Sequence, residues 1–255
     1  SGNASGIADN GLVTVGGNLA ATTDAANGLI NLGTLAVDGT VQLTTNGSGN
    51  ATVVNDAGLT FAASTVGGNL AATATTGHMT DSGVLTITGT SSFTTSANNE
   101  TINLSTITTN AFTGAITITT NDDSGTHAAV AIDGGTTKLV IAASTIDGDL
   151  TLRTGNAADA NGITDTGTVT VGGNLSVTND VDNGDIVMDT LAVTGSIALT
   201  TQASGGNAAV TNATALDLAA STVDGTLGVT ASAGDITDSG QLTITGAATF
   251  TAAAG

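Results

Sequence analysis

Four aspartates stand in one recurring turn. Asp9, Asp81, Asp165 and Asp238 each follow an apolar residue and a small one, and each is followed by a polar residue and a glycine, as in Ile236-Thr237-Asp238-Ser239-Gly240. Carboxylates so placed can do two things. An Asp side chain accepts bonds from nearby backbone amides and the glycine tolerates positive φ, which is an architectural use. A ladder of such turns could also hold a hard cation, which wants six to eight oxygens and often several carboxylates together. The densest acidic stretches are Asn179-Asp180-Val181-Asp182-Asn183-Gly184-Asp185 and Asn121-Asp122-Asp123. Neither has the spacing of an EF-hand loop, and the Gly-Gly-x-Gly-x-Asp nonapeptide of calcium-binding β-rolls is absent. The architectural reading is therefore expected. No residue is assigned as a metal ligand, and Ca2+ is the one ion the pattern admits.

Other chemistry finds less support. Glycan lyases and hydrolases need clustered carboxylates, a basic residue and aromatic platforms, but Lys138 and Arg153 are the only basic residues and Trp and Tyr are absent. His78 and His127 have no repeated partner, no Ser–His–Asp spacing stands out, and the Gly-Gly pairs read as turn elements. No catalytic or cofactor-binding residue is assigned, and the chain is not expected to be an enzyme. Lys138 and Arg153 are expected at the surface, each within reach of a local Asp, where such pairs contribute little. Thr86/Thr88, Thr117/Thr119 and Thr243/Thr245 form outward Thr-x-Thr pairs of the kind that order water. The uneven spacing of the repeats speaks against a regular array.

Composition narrows the classes further. The 255 residues carry 2 Lys+Arg and 21 Asp+Glu, a formal charge of −19, with 36 Gly and no Pro or Cys. A nucleic-acid footprint needs basic residues and stacking aromatics, so nucleic acid is excluded as a partner. No stretch is long and apolar enough for a membrane helix, so no membrane insertion is expected. The absence of cysteine excludes disulfides and thiolate metal sites. Val, Ile and Thr favour strands, and Gly, Asn and Asp favour the turns between them.

An internal repeat supplies the order. Residues 59–95 and 216–252 align without a gap at an offset of 157, with 22 of 37 positions identical. The motif Ala-Ala-Ser-Thr-[Val/Ile]-x-Gly starts at Ala62, Ala142 and Ala219. A finer anchor, an apolar residue, any residue and then Gly, falls at Gly17, Gly39, Gly68, Gly89, Gly114, Gly148, Gly173, Gly195, Gly225 and Gly246. The gaps average 26, so the spacing predicts units of about 78 residues made of three coils. Alternation of apolar and small polar residues, as in Leu85-Thr86-Ile87-Thr88 and Ile116-Thr117-Ile118-Thr119, predicts strands with one buried face. Such strands bury that face when the chain coils and each coil stacks on the next. The fold class expected is all-β, one continuous parallel β-helix (β-solenoid) over 1–255, with about 26 residues per coil and roughly ten coils. Phe93 and Phe250, also 157 apart, are expected in its core. The long gaps predict loops inserted before the Ala-Ala-Ser-Thr motif, at 46–58, 121–136 and 202–214. Neither end shows a polar or helical cap, so the chain reads as a slice of a longer one, or as a subunit that joins end to end.

The runs Val13-Thr14-Val15-Gly16-Gly17-Asn18-Leu19, repeated at 169–175, together with LTITGTSSFTT at 85–95 and ITDSG at 236–240, resemble the repeats of filamentous-haemagglutinin-like and β-strand-repeat surface proteins of bacteria. The resemblance implies a right-handed parallel β-helix, export to the cell surface, and a role as an extracellular fibre or adhesin stalk. The partner expected is self, by continuation, end-to-end stacking or lateral bundling. The alternative is a binding module whose recurring loops take a glycan, a host-surface receptor or Ca2+.

Overall fold

The computed structural model describes residues 6–24, 26–122, 128–155, 161–202 and 205–253. Over these residues the chain is an all-β parallel solenoid without a helix, winding through about eleven turns. Each turn adds a rung to two sheets, one of 15 strands and one of 16. One hydrophobic cluster of Val, Leu, Ile and Ala, with Phe61, Phe93 and Phe112, runs along the inside. The alternation of the sequence is realised: Leu85, Ile87, Ile116, Ile118, Leu150, Leu152, Leu191 and Val193 are all buried. The rings of Phe93 and Phe112 meet edge to face at 5.9 Å across neighbouring rungs.

The turn is shorter than the anchor glycines predict, about 22 residues and not 26. The glycines show why. Gly39 donates to the carbonyl of Gly17, but Gly68 donates to Gly49 and Gly225 to Gly206. Gly39 therefore does not lie under Gly68, nor Gly195 under Gly225. At each long gap the anchor passes to the opposite corner: Gly39 precedes the strand Thr40–Thr44 of the 16-stranded sheet, and Gly68 precedes Leu70–Ala74 of the 15-stranded sheet. A long gap is thus a turn and a half. The three expected loop insertions are largely a further strand each, Ala51–Asn55, Val130–Asp133 and Ala208–Asn212. The 78-residue unit is three and a half turns, and successive Ala-Ala-Ser-Thr motifs lie on alternate sheets, in strands Ser64–Val66, Ser144–Ile146 and Ser221–Val223.

The motif itself resolves a mismatch. The single strand Thr40–Thr44 is paired by two shorter ones, Leu59–Phe61 and Ser64–Val66. Ile116–Asn121 and Ser196–Thr201 are divided in the same way. The extra residue at each corner would strand one buried amide. The serine fills the break: Leu43 N donates to Ser64 Oγ at 3.0 Å, and Ser64 Oγ donates to the Ala62 carbonyl at 2.8 Å. Ile118–Ser144–Ala142 and Leu199–Ser221–Ala219 repeat the arrangement. Only a short side chain fits beside the buried strand, which explains the small residues.

Within each unit the order is fixed. A rung bearing the Ala-Ala-Ser-Thr corner (59–74, 139–154, 216–231) is followed by a rung bearing the Asp turn (79–95, 163–179, 236–252), as Met79 pairs with Leu59 and Ile236 with Leu216. A third rung follows (102–121, 185–201), then the half rung before the next corner. At the start of the chain, rung 7–22 is of the Asp-turn type and 30–45 of the third type.

Phe250 departs from expectation. Its strand, Ala248–Ala252, is the last strand among the described residues, and the residue is 48% exposed. Ser91 stands in the core with its hydroxyl unpaired.

Two substitutions test this packing. Ser64→Ala leaves the Leu43 amide buried and unpaired, so urea melts should show a loss of about 1–3 kcal/mol. Ser91→Ala removes a buried, unsatisfied hydroxyl and restores the alanine found 157 residues on at Ala248; a gain of about 1 kcal/mol is expected in the same melts. A neutral Ser64→Ala would overturn the role given to the motif.

Candidate functional site

The four aspartate turns are the natural place to look for chemistry, and the structure gives three of them a backbone or side-chain partner one rung on. Asp9 Oδ2 accepts from Thr34 N at 2.7 Å and from Thr34 Oγ1 at 2.8 Å. Asp165 Oδ2 does the same with Thr190, at 2.9 and 2.8 Å, while its Oδ1 accepts from Asp189 N. Both threonine hydroxyls also reach the glycine of the turn, Gly11 and Gly167. The bond from the Thr34 hydroxyl holds the Asp9 carboxyl below its ordinary value. Asp81 is buried and its Oδ2 accepts from Asn110 Nδ2 at 2.7 Å, with Oδ1 unpaired. Asp238 is exposed on the last rung. The carboxylates of Asp9 and Asp165 are spent on turns, and among the described residues no group of three or more His, Asp or Glu could hold a metal ion.

The acidic stretch 179–185 disperses in the same way. Asn179 is buried and closes its own turn through Asp185 O and Val181 N. Asp185 accepts from Asn207 N, and Asp180 turns to Arg153. In the second stretch Asp122 N donates to Asp147 Oδ2, and Asp123 lies outside the described residues.

Arg153 is the focus of the strongest charge cluster. Its Nε pairs with Asp180 Oδ2 on the next rung, and its Nη1 lies 3.8 Å from Asp133 Oδ2 on the rung before. The expected pairing with a local Asp is realised, through partners one turn away in sequence. Burial pushes the Asp133 carboxyl above its ordinary value, opposed by the Gly135 amide and by Arg153. The bond to Asp180 raises the Arg153 guanidinium further. Lys138 is half-buried and forms no ion pair among the described residues.

His78 is exposed in the turn before the strand Met79–Asp81. Its Nδ1 lies 2.7 Å from Oε2 of Glu100 and 3.0 Å from Thr101 N. The signal for this pair was the separation of about one turn between the two residues. His127 lies outside the described residues.

Sequence reasoning missed the buried asparagines. Asn55 accepts from Val37 N at 2.8 Å and donates to Val37 O and Gly58 O. Asn212, 157 residues on, does the same for Val193 and Ala215. Each amide stands in for a missing stretch of backbone beside a register shift. A second series, Asn18, Asn50, Asn69, Asn174 and Asn207, accepts the amide of the residue stacked on it, as in Thr90 N to Asn69 Oδ1 at 2.9 Å. For Asn18, Asn69 and Asn174 the place after an anchor glycine was the available signal, whereas Asn50 and Asn207 follow glycines outside that series.

The outer faces carry threonine columns. Thr73, Thr94, Thr119, Thr145 and Thr170 stack on the 15-stranded sheet. Thr22, Thr44, Thr65 and Thr86 stack on the 16-stranded sheet, as do Thr178, Thr200, Thr222 and Thr243. Each column runs four or five rungs and is then interrupted, by Ala111 next to Thr86 and by Arg153 next to Thr178. An open groove of about 600 Å³ beside Asn174, Ser196, Asp217, Asp235 and Thr237 has hydroxyl, amide and carboxylate walls and no base or aromatic.

A family described as repeats of unknown function (DUF5649) matches residues 48–119 and 205–255. The two matched stretches begin 157 residues apart, which is the period of the internal repeat. No curated protein and no solved structure matches the chain.

The charge cluster gives a pH test. An acid whose folded pKa is raised costs stability only when it must ionise. The cost is absent below the unfolded value near 3.8 and grows as pH rises through the folded one. Arg153 offsets that cost near neutrality. Arg153→Gln should therefore lose about 0.5–1 kcal/mol at pH 7, the small figure reflecting a half-exposed guanidinium. The difference from the wild type should close as pH falls toward 3 in paired thermal melts. An equal loss at both pH values would assign Arg153 a packing role alone.

Proposed function

We propose that the chain is a non-catalytic, rod-forming segment of an extracellular bacterial fibre or adhesin stalk of the filamentous-haemagglutinin-like kind. The observation that carries this reading is the single core and the parallel strand pairing that run through about eleven turns, with serines and asparagines bridging the places where strands split or shift register. Such an object transmits force along its axis and offers little that could turn over a substrate. Further β-solenoid rungs extend the rod. The surface charge, −19 overall, keeps neighbouring rods apart unless divalent cations bridge them.

The alternative, a module that binds a glycan or receptor, moves from loops to corners and outer faces, because 46–58, 121–136 and 202–214 contain core strands. Deleting 121–136 would remove Val130–Asp133 from its sheet and damage the rod itself. Substitution of outward Asn103 and Thr151, which lie on the rungs either side of Ala131, tests binding without that damage.

Small-angle scattering and electron micrographs of the purified chain should show a rod about 50 Å long, from eleven rungs at about 4.8 Å. A globule of the same mass would refute the rod. Retained adhesion to host surfaces by the isolated segment, abolished by Asn103→Lys with Thr151→Lys, would favour the binding module.

A further inference from the structure

Among the described residues no strand pairs with the outer edge of the rung 236–252, and the repeat shows what covers a rung of its class. Three Asp-turn rungs precede it in the chain, and each is covered by a rung of the third type: 7–22 by 30–45, 79–95 by 102–121, and 163–179 by 185–201. In each case the aspartate of the lower rung is bonded by a residue of the upper one, Thr34 to Asp9, Asn110 to Asp81 and Thr190 to Asp165. The two threonine cases share one sequence frame, Thr-Leu-Ala-Val-x-Gly, at 34–39 and 190–195. Rung 236–252 belongs to this class, with Asp238 in the aspartate position, and no described strand lies on its upper side. Leu242 and Phe250 line a cleft of about 250 Å³ there together with Leu218, Ile236 and Asp238.

We propose that this edge is a docking surface for one occupant, a third-type rung with the frame Thr-Leu-Ala-Val-x-Gly, and that Asp238 reads its threonine. The inference rests on the rod reading and names the partner that reading leaves open. Backbone groups supply the affinity: Ile7 N, at the equivalent place in the first rung, donates to Leu29 O above it, as Met79 N does to Thr101 O and Ser91 N to Ala115 O. Ile236 N and Ala248 N occupy those places in the last rung. The apolar residues of the incoming rung cover Ile236, Leu242 and Phe250. The threonine supplies specificity, donating through its amide and hydroxyl to Asp238 and through its hydroxyl to the carbonyl of Gly240. Direct stacking of a second copy is a different contact. It places rung 7–22 on rung 236–252, an Asp-turn rung on another, a pairing found nowhere in the chain, and it brings Asp9 with no threonine for Asp238.

The test extends the full chain. Residues 183–201 appended after Gly255 place the copy of Thr190 25 residues beyond Asp238, the separation found between Asp165 and Thr190. Hydrogen exchange should show the amides of Ile236 and Ala248 protected at least about tenfold more than in the parent chain. Asp238→Ala, or alanine in place of the appended threonine, should remove most of that gain. A free peptide of residues 183–201 should protect the same two amides when added in excess. Appending residues 7–22 should give no comparable protection, and the parent chain should stay monomeric in sedimentation. Equal protection by the appended 7–22 rung, no protection by 183–201, or indifference to Asp238→Ala would each overturn the proposal. A rod-shaped scattering profile alongside such a result would leave the rod reading standing, whereas a globular profile would remove both.

Discussion

Stacking of one backbone on another at about 4.8 Å is the constraint from which the rest follows. Every amide must meet a carbonyl on a neighbouring rung, and the corners must turn without lifting the rungs apart. A Cβ at Gly89 would sit 2.6 Å from the carbonyl oxygen of Gly68, and one at Gly195 would sit 2.5 Å from that of Gly173. The glycine columns are therefore set by closeness of approach, and Asn69 and Asn174, after Gly68 and Gly173, tie the amides of the rung above. Where a strand must be split or a register shifted, a buried serine or asparagine takes the place of the lost backbone partner. Proline, which cannot donate to a ladder, has no place in such a chain.

The same constraint explains the fate of the chemistry-bearing side chains. In an ordinary domain a repeated aspartate invites a metal or a reaction. Here Asp9 and Asp165 are occupied by the threonine of the next rung, and Asp81 by an asparagine. Arg153 spans three rungs between Asp133 and Asp180. Each polar group is a clip between floors, which is why so few are left converging on one place.

Much of this was legible in the residues. Alternation at Leu85-Thr86-Ile87 fixes which face is buried, and the offset of 157 fixes that the chain is a solenoid. The pitch was not legible, because the pattern apolar-x-Gly omits Gly49 and Gly206, the glycines that lie beneath Gly68 and Gly225. Without them a turn and a half passes for a single long coil and its extra strand passes for a loop. Phe250 was read as core from its equivalence to Phe93, but burial depends on what lies above, and that is a property of position along the stack and not of the residue. The pairing of Glu100 with His78 escaped for a related reason: the two are neighbours in the axial direction, which sequence adjacency does not display.

The half-integer count of turns between Ala-Ala-Ser-Thr motifs has a geometric result. A unit of three and a half turns brings each motif back on the side opposite its predecessor, so Ser64 and Ser221 mark one flank of the molecule and Ser144 the other. The object has no front and back. The same corner therefore recurs on the reverse flank half a period along the axis, so a screw-like alternation is built into the molecule.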